Sequence, residues 1–550
     1  MFYLETKDKK AKFTTIYTYV YSLFIAIPCF IIGLIVNLIW ISNKNINVNL
    51  INICCITILT TSLSISYIIF FAKNIQYRKM MINEFRDIVR NSKLPKKLPK
   101  VVYVYTTYND FNSSRLLQNM QQTYQNIEYW ISVGNPDDPN LSNIKEFAKK
   151  NKINLYIKET KSKSKADNLN HFLKCPKVKF DYLLIGDADV AFEKTFVTNS
   201  LKLFYSDRAL NLGYVSSTLM NYRGNNFFTN AFLHFDNEKY IVNDQIKNFS
   251  WNVSPNLYSA CCLISKKLLL ENNYQFPESN LEDWYLEKFA NKNFWVGVVS
   301  PLNVAMQSFD KDIWQNLNRI SRLYTWGVKY QKEQHFIKYN VKYDRQNNIE
   351  FRNLFLGILF IFGFINAGIF LTNLFINLNQ IINNLFSMIF ILSIVLNLVV
   401  LLITRGYFLS KITTTDKFKK MFFQPFYGIC LLTCLLYYWV NSLFFSKYKS
   451  FDKKIFKIDN KWIILTIILA SIFIVTFNFL FFWFKLNQYN TNWLYLCVFV
   501  NMILGYILFF SVSLSILIMC GKISSNKNYD ENKFVYCTNE YAILKRVKND

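Results

Sequence analysis

Asp187 and Asp189 stand one residue apart at the end of the apolar run Tyr182-Leu-Leu-Ile-Gly-Asp-Ala-Asp189. Such a run predicts a buried parallel strand whose carboxyl end delivers both acids to the crevice outside a sheet. Two carboxylates this close repel each other unless a hard cation sits between them and a phosphate group. The chemistry they predict is the handling of a nucleotide diphosphate held through Mg²⁺ or Mn²⁺. A second candidate is Lys161-Ser-Lys-Ser-Lys165-Ala-Asp-Asn168-Leu-Asn170, which opens a predicted helix running to about Leu173. Cations and backbone N–H groups converge at such a helix start and can cradle a diphosphate; a solvated lysine run is the plain alternative. The third, Asn280-Leu-Glu282-Asp283-Trp-Tyr-Leu286, puts paired acids at a helix start, where capping explains them as simply as catalysis does. The fourth surrounds Arg319 and Arg322 with Trp314, Tyr324 and Trp326, a combination that also suits a membrane-interface belt.

These residues need elements to hold them. From about 100 to 330, strand-like and helix-like stretches alternate, which predicts an α/β domain. Val101-Val-Tyr-Val-Tyr105 is a strand-like run ending in Thr106-Thr107-Tyr-Asn109-Asp110, and Tyr129-Trp-Ile-Ser-Val133 ends in Gly134-Asn-Pro-Asp-Asp138. Residues 142–151 read as helix, Ile153 to Ile157 as strand, and Ser259-Ala-Cys-Cys-Leu-Ile-Ser-Lys266 as a further apolar run.

Composition places this domain in a membrane protein. The 550 residues are 52% hydrophobic and 18% aromatic, too apolar for an ordinary soluble chain. Runs 15–42, 49–72, 354–376, 381–404, 462–484 and 493–520 each reach the roughly 20 apolar residues that cross a bilayer. A seventh, 421–445, is broken by Phe423-Gln-Pro425 and either crosses, re-enters or lies along the interface. The expected organisation is two amino-terminal spans (1–72), a basic interfacial linker (73–100), a catalytic domain (101–330), a second linker (331–350), a carboxyl-terminal membrane region (351–520) and a basic tail (521–550). The first span is too long for a cleavable signal core and reads as a retained anchor.

Lys and Arg number 63 against 36 acids, a net charge of +27, and they gather beside the spans. The linker 73–100 alone carries nine of them against Glu84 and Asp87. By the positive-inside rule these segments, the catalytic domain and the tail face the cytoplasm. Basic residues so placed meet anionic lipid headgroups, so membrane lipids are expected partners and nucleic acid is not. The eleven cysteines show no zinc spacing. A solute transporter is disfavoured because the spans carry almost no ionisable residue at mid-depth.

In this order the motifs resemble the membrane-bound glycosyltransferases of family 2, the group of the cellulose, chitin and hyaluronan synthases and of ceramide glucosyltransferase. The resemblance implies a GT-A-like domain, with a mixed and mostly parallel sheet, inserted in an α-helical multi-span protein. Thr107, Asn109 and Asp110 look like the first nucleotide-contacting loop, and Lys165 to Asn170 is similar to a Lys-Ala-Gly-Asn-Leu-Asn motif with Asp167 in place of the glycine. It implies donor contacts from Lys165, Asn168, Asp187, Arg319 and Arg322, and a metal ion on Asp187 and Asp189. Asp283, in the pair Glu282-Asp283, would be the general base, and Trp314, Tyr324 and Trp326 would flank the acceptor. Two positions depart from the pattern. The second strand ends in Val133-Gly134-Asn135 where the family has an aspartate, which leaves Asp110, Asp137, Asp138 or nothing for the nucleobase. The terminal Gln-x-x-Arg-Trp motif reads Arg319-Ile-Ser-Arg322-Leu323.

The expected activity is inverting, metal-dependent transfer of a sugar from a nucleotide diphosphate sugar, a uridine one by expectation, to a glycan or lipid acceptor at the membrane. Several carboxyl-terminal spans favour a polysaccharide synthase, whereas Leu323 in place of tryptophan favours a single addition to a glycolipid. A catalytically inactive membrane partner is a third reading.

Overall fold

The computed structural model describes residues 82–207, 209, 211–221, 257–277 and 282–307. All seven apolar runs expected as spans, residues 73–81 of the first linker, the whole second linker, the tail and the 314–326 motif lie outside these residues. Among the described residues no helix is long and apolar enough to cross a membrane.

Eight strands form one sheet in the order β3-β2-β1-β4-β7-β6-β8-β5. They are β1 (Val101–Thr107), β2 (Ile127–Val133), β3 (Asn154–Ile157), β4 (Tyr182–Asp187), β5 (Val190–Phe192), β6 (Leu212–Asn221), β7 (Cys261–Ser265) and β8 (Val296–Gln307). The first four run parallel, β7 reverses between β4 and β6, β8 runs parallel to β6, and β5 is antiparallel at the edge. The mixed, mostly parallel α/β sheet expected from the run of motifs is therefore present.

Helices cover both faces, and the period of two along each strand assigns every side chain to one of them. They are α1 (82–91), α2 (Ser113–Asn119), α3 (Leu141–Lys150), α4 (Lys165–Leu173), α5 (Phe196–Phe204), α6 (Lys266–Glu271) and α7 (Glu282–Lys292). Val101, Tyr103, Tyr105, Ile131 and Leu184 pack with Leu116, Ile144, Phe196 and Leu201 of α2, α3 and α5. Val102, Val104, Trp130, Leu183 and Ile185 pack with Leu169, Phe172, Leu268 and Leu286 of α4, α6 and α7. Strands buried on both sides read as continuous apolar runs for this reason. Part of the basic linker joins the domain: Phe85 and Ile88 of α1 are buried against Leu203, Leu212, Val215 and Val298.

The register aligns the strand ends that matter. Thr106 of β1 lies opposite both Ser132 of β2 and Asp187 of β4, so these three carboxyl ends open on one crevice. Gly186 is required there by packing, because a Cβ on it would stand 2.5 Å from the hydroxyl of Tyr103. That ring is fully buried and its hydroxyl accepts a bond from Asn119 Nδ2 at 2.9 Å, so it has nowhere to move. Gly186→Ala is expected to destabilise the protein by about 1–3 kcal/mol, as overpacking does. Urea denaturation of the purified variant checks this; a midpoint equal to that of the wild type refutes it.

Candidate active site

Lys165 opens α4 under a serine cap, the Ser164 hydroxyl accepting the Asp167 N–H at 3.0 Å. Its ammonium is ion-paired with Asp187 at the end of β4. It also donates to the backbone carbonyl of Ser259 at 2.9 Å and to that residue's hydroxyl at 3.2 Å. The same hydroxyl donates to Glu282 Oε1 at 3.0 Å, and the Ser259 N–H bonds to the carboxylate of Asp283. Three motifs far apart in the chain thus converge on one lysine through one serine. Burial opposes the Lys165 charge, yet Asp187, Glu282 and Asp283 outweigh it and hold the ammonium above its ordinary pKa.

The acids respond in the opposite sense. Asp283 is half-buried; loss of water and then the charge of Glu282 beside it push its carboxyl up to about 7, against the pull of Lys165 and of the Trp284 N–H. Asp189 keeps an exposed edge while surrounding atoms thin the water about it. That desolvation, then repulsion from Asp187 and more weakly from Asp110, push it up to about 7 as well. Such crowding of hard oxygen donors on an open edge is relieved by a divalent cation, so Asp187 and Asp189 fit Mg²⁺ or Mn²⁺. Among the described residues no group of three or more His, Cys, Asp or Glu closes on one point. Among the described residues, Asp187 and Asp189 are the pair of carboxylates placed to meet such an ion.

The loop after β1 is built as a tight turn. Asn109 has φ 62°, its N–H donates to Asp138 Oδ2 at 2.8 Å, and its side-chain oxygen accepts from Asn135 Nδ2 at 2.8 Å. Asp110 Oδ1 accepts from the Thr107 hydroxyl at 3.0 Å and from the Tyr108 N–H at 2.7 Å. Of the three acids considered for the nucleobase, Asp138 is buried as a backbone acceptor, Asp137 is exposed and paired with Lys161 at 3.2 Å, and Asp110 stands exposed at the crevice rim. Asn168 is only 4% exposed and faces β2: Ser132 Oγ donates to its Oδ1 at 2.9 Å, and its Nδ2 donates to the Ser132 carbonyl at 3.2 Å. Its amide is thus engaged in fastening α4 to the sheet. Asp167, in the place of the family glycine, is buried and ion-paired with Lys158 at 2.6 Å. Burial would raise this carboxyl, but Lys158 and the Lys163 N–H hold it below the usual range.

Two contributors escaped the sequence. Ser259 was visible as the start of the apolar run to Lys266, which by resemblance lines the acceptor side, but not as the partner of Lys165. Tyr105, buried in β1, accepts from the Asn112 N–H at 2.9 Å and reaches the Ala188 carbonyl between the two acids at 3.3 Å. Arg319, Arg322, Trp314, Tyr324 and Trp326 lie outside the described residues.

Residues 106–271 match the model of the family described as Glycosyl transferase family 2. This segment is a glycosyltransferase family 2 domain. The chain is accordingly a glycosyltransferase, and its described part has the GT-A-like, mostly parallel sheet of such enzymes. The matched segment runs from the end of β1 through α6, so the Glu282-Asp283 pair of α7 follows it. Solved structures similar to the chain include a mannosyltransferase from Pyrobaculum calidifontis in complex with GDP-Man and Mn²⁺, at 15% identity and TM-score 0.45, covering 71% of this chain and 99% of that one. Another is S. aureus TarS 1-349 in complex with UDP-GlcNAc, at 16% identity and TM-score 0.30, covering 40% of this chain and 65% of that one. No curated protein matches the chain.

In this transferase domain, Ser259→Ala removes one hydroxyl and leaves the two backbone contacts of that residue in place. Glu282, 7% exposed, then loses a donor. The expected cost is about 1–3 kcal/mol for a buried acceptor left short of a partner, measured as a shift in the urea midpoint. A shift under about 0.5 kcal/mol would show that the hydroxyl bridge carries no weight.

Proposed function

We propose that the chain is an inverting, divalent-metal-dependent glycosyltransferase. It moves a sugar from a nucleotide diphosphate sugar, a uridine one by expectation, to a membrane-associated acceptor, in the manner of a polysaccharide synthase. The domain faces the cytoplasm from a multi-pass membrane protein. What carries this reading is the gathering of Asp187, Glu282 and Asp283 about Lys165, at the crevice where three parallel strands end.

Asp283 takes the proton of the acceptor hydroxyl as that oxygen attacks the anomeric carbon from the face opposite the nucleotide. A base with a pKa near 7 is matched to this task, since about half of it is ionised at neutral pH and that half accepts a proton strongly. Lys165 remains charged throughout the neutral range and offers fixed positive charge to the departing diphosphate. Asp187 and Asp189 would hold Mg²⁺ or Mn²⁺, whose chemical contribution is to neutralise charge on the leaving group. Direct displacement inverts the anomeric centre with no covalent sugar-enzyme link. A single transfer to a glycolipid is the second reading, favoured by Leu323 where the family motif closes with tryptophan. The length of the product separates the two.

Purified protein incubated with UDP- and GDP-sugars, an acceptor extract and Mn²⁺ should release nucleotide from one donor class and yield a product heavier by one sugar or many. Release from none of them overturns the proposal. Asp283→Asn should lower kcat by about 10²–10⁴-fold while affinity for the nucleoside diphosphate stays close to that of the wild type. Undiminished turnover would remove Asp283 as the base.

The pH profile follows from the sign of the Asp283 shift. Protonation inactivates a base, so activity should fall about tenfold per pH unit below about 7. Lys165, raised rather than lowered, should add no alkaline limb near neutrality. A kcat/KM profile flat from pH 5 to 7 is the contrary result.

A further inference from the structure

We propose that Asp167, through its buried ion pair with Lys158, is a positioning residue that holds the loop 158–165 as the donor-side wall of the crevice. This deepens the donor-binding reading above and rests on it. Lys158 and Asp167 are 4% and 7% exposed, and Lys158 Nζ lies 2.6 Å from Asp167 Oδ2. The same oxygen accepts the Lys163 N–H at 2.8 Å. Asp167 Oδ1 has His171 Nε2 at 3.5 Å, and the Asp167 N–H donates to the cap hydroxyl of Ser164 at 3.0 Å. One carboxylate therefore closes both ends of the loop: the side chain that leaves β3 and the backbone that enters α4.

The loop between these ties lies flat on the sheet. The Lys158 N–H donates to the Val133 carbonyl at 3.1 Å and the Ser162 N–H to the Gly134 carbonyl at 2.8 Å. A Cβ at Gly134 would meet the Ser162 hydroxyl at 3.1 Å and Asn168 Nδ2 at 3.2 Å, so the loop and α4 press directly on the end of β2. Lys165 follows at the first position of α4, two residues before Asp167, and reaches Asp187. Lys161 and Lys163 stay exposed along the same loop. Of the four lysines from 158 to 165, the buried one is thus used to fix the other three.

A buried ion pair rarely adds net stability over a packed apolar pair, because desolvating two charges offsets their attraction. What it adds is direction, since Asp167 must point at Lys158 and at the Lys163 N–H together. This gives a test that separates positioning from packing. In Lys158→Met with Asp167→Leu, packing is kept and direction is lost. The double variant is expected to melt near the wild-type temperature, yet to bind UDP or GDP with Mn²⁺ about tenfold more weakly and to show a KM for nucleotide sugar raised alike, with kcat within about threefold.

Recovery of both stability and nucleotide affinity in that variant would reduce the pair to packing and overturn the inference. Should the double variant fail to fold, Asp167→Asn keeps an acceptor for the Lys163 N–H while removing the charge. It is expected to weaken the same nucleotide binding, and unchanged affinity there overturns the inference too. Failure of the transferase reading looks different: wild-type protein that binds nucleoside diphosphate but turns over no sugar donor, with the Asp167 effect on nucleotide binding still measurable.

Discussion

Carboxylates crowded in one crevice need a cation among them, and among the described residues Lys165 meets three of them. Its ammonium meets Asp187 directly, Glu282 through the Ser259 hydroxyl, and Asp283 through space. Unit charges a few ångströms apart interact by roughly 4 kcal/mol at an effective dielectric of 20, so the position of one ammonium decides whether neighbouring acids ionise. Asp283 shows the balance: desolvation and Glu282 raise its pKa, Lys165 lowers it, and the outcome is about 7. The features that fix Lys165, namely the serine cap, the packing of Leu169 and Phe172 beneath α4 and the grip of Asn168 on Ser132, therefore bear on the ionisation of these acids from a distance.

The backbone of Ser259 makes this arrangement tolerant of its own electrostatics. Its carbonyl accepts from Lys165 and its N–H bonds to Asp283, so ammonium and carboxyl meet opposite ends of one residue's main chain. Dipoles fixed by a strand entry cost little to reorganise when charge moves, unlike side chains or water. The strand entry is itself held from three sides. Glu287 Oε2 accepts the Leu257 N–H at 3.3 Å, Ser216 Oγ accepts the Tyr258 N–H at 3.2 Å, and the Cys261 N–H closes a turn onto the Tyr258 carbonyl at 2.9 Å.

Much of this was legible in residue order, and the part that was not has identifiable causes. Strands β1, β2, β4 and β7 declared themselves because burial on both faces makes them continuous apolar runs with polar ends. The starts of α4 and α7 were visible in their Ser-Lys and Glu-Asp chemistry. Strand β8 was hidden because Pro301 and Asn303 sit inside it: the register jumps from Ser217 opposite Ser300 to Thr218 opposite Val304, so the period of two breaks at a bulge. Lys158 carried no signal of its own in the sequence. Only the tertiary approach of β3 to α4 shows that it is buried against Asp167. Ser259 could not be singled out because its partners stand 94 and 23 residues away.

The reversal of β7 explains why Ser259 arrives at the site at all. In a wholly parallel sheet every strand would present its carboxyl end to the crevice, and the residues before β7 would emerge at the opposite edge. Because β7 runs antiparallel to β4, with Gly186 opposite Cys261, its amino end lies beside Asp187, and the Asp187 N–H approaches the Ala260 carbonyl at 3.4 Å. Register is then as important as direction. A slip of one residue would exchange the faces of Cys261 and Cys262, which pack in the α2-side and α4-side cores respectively, and would move Ser259 off the line between Lys165 and Glu282. Both cysteines are fully buried in their separate cores, so apolar packing penalises the slip. The geometry of the candidate site thus inherits its precision from the same alternation of side chains that holds the two cores on either face of the sheet.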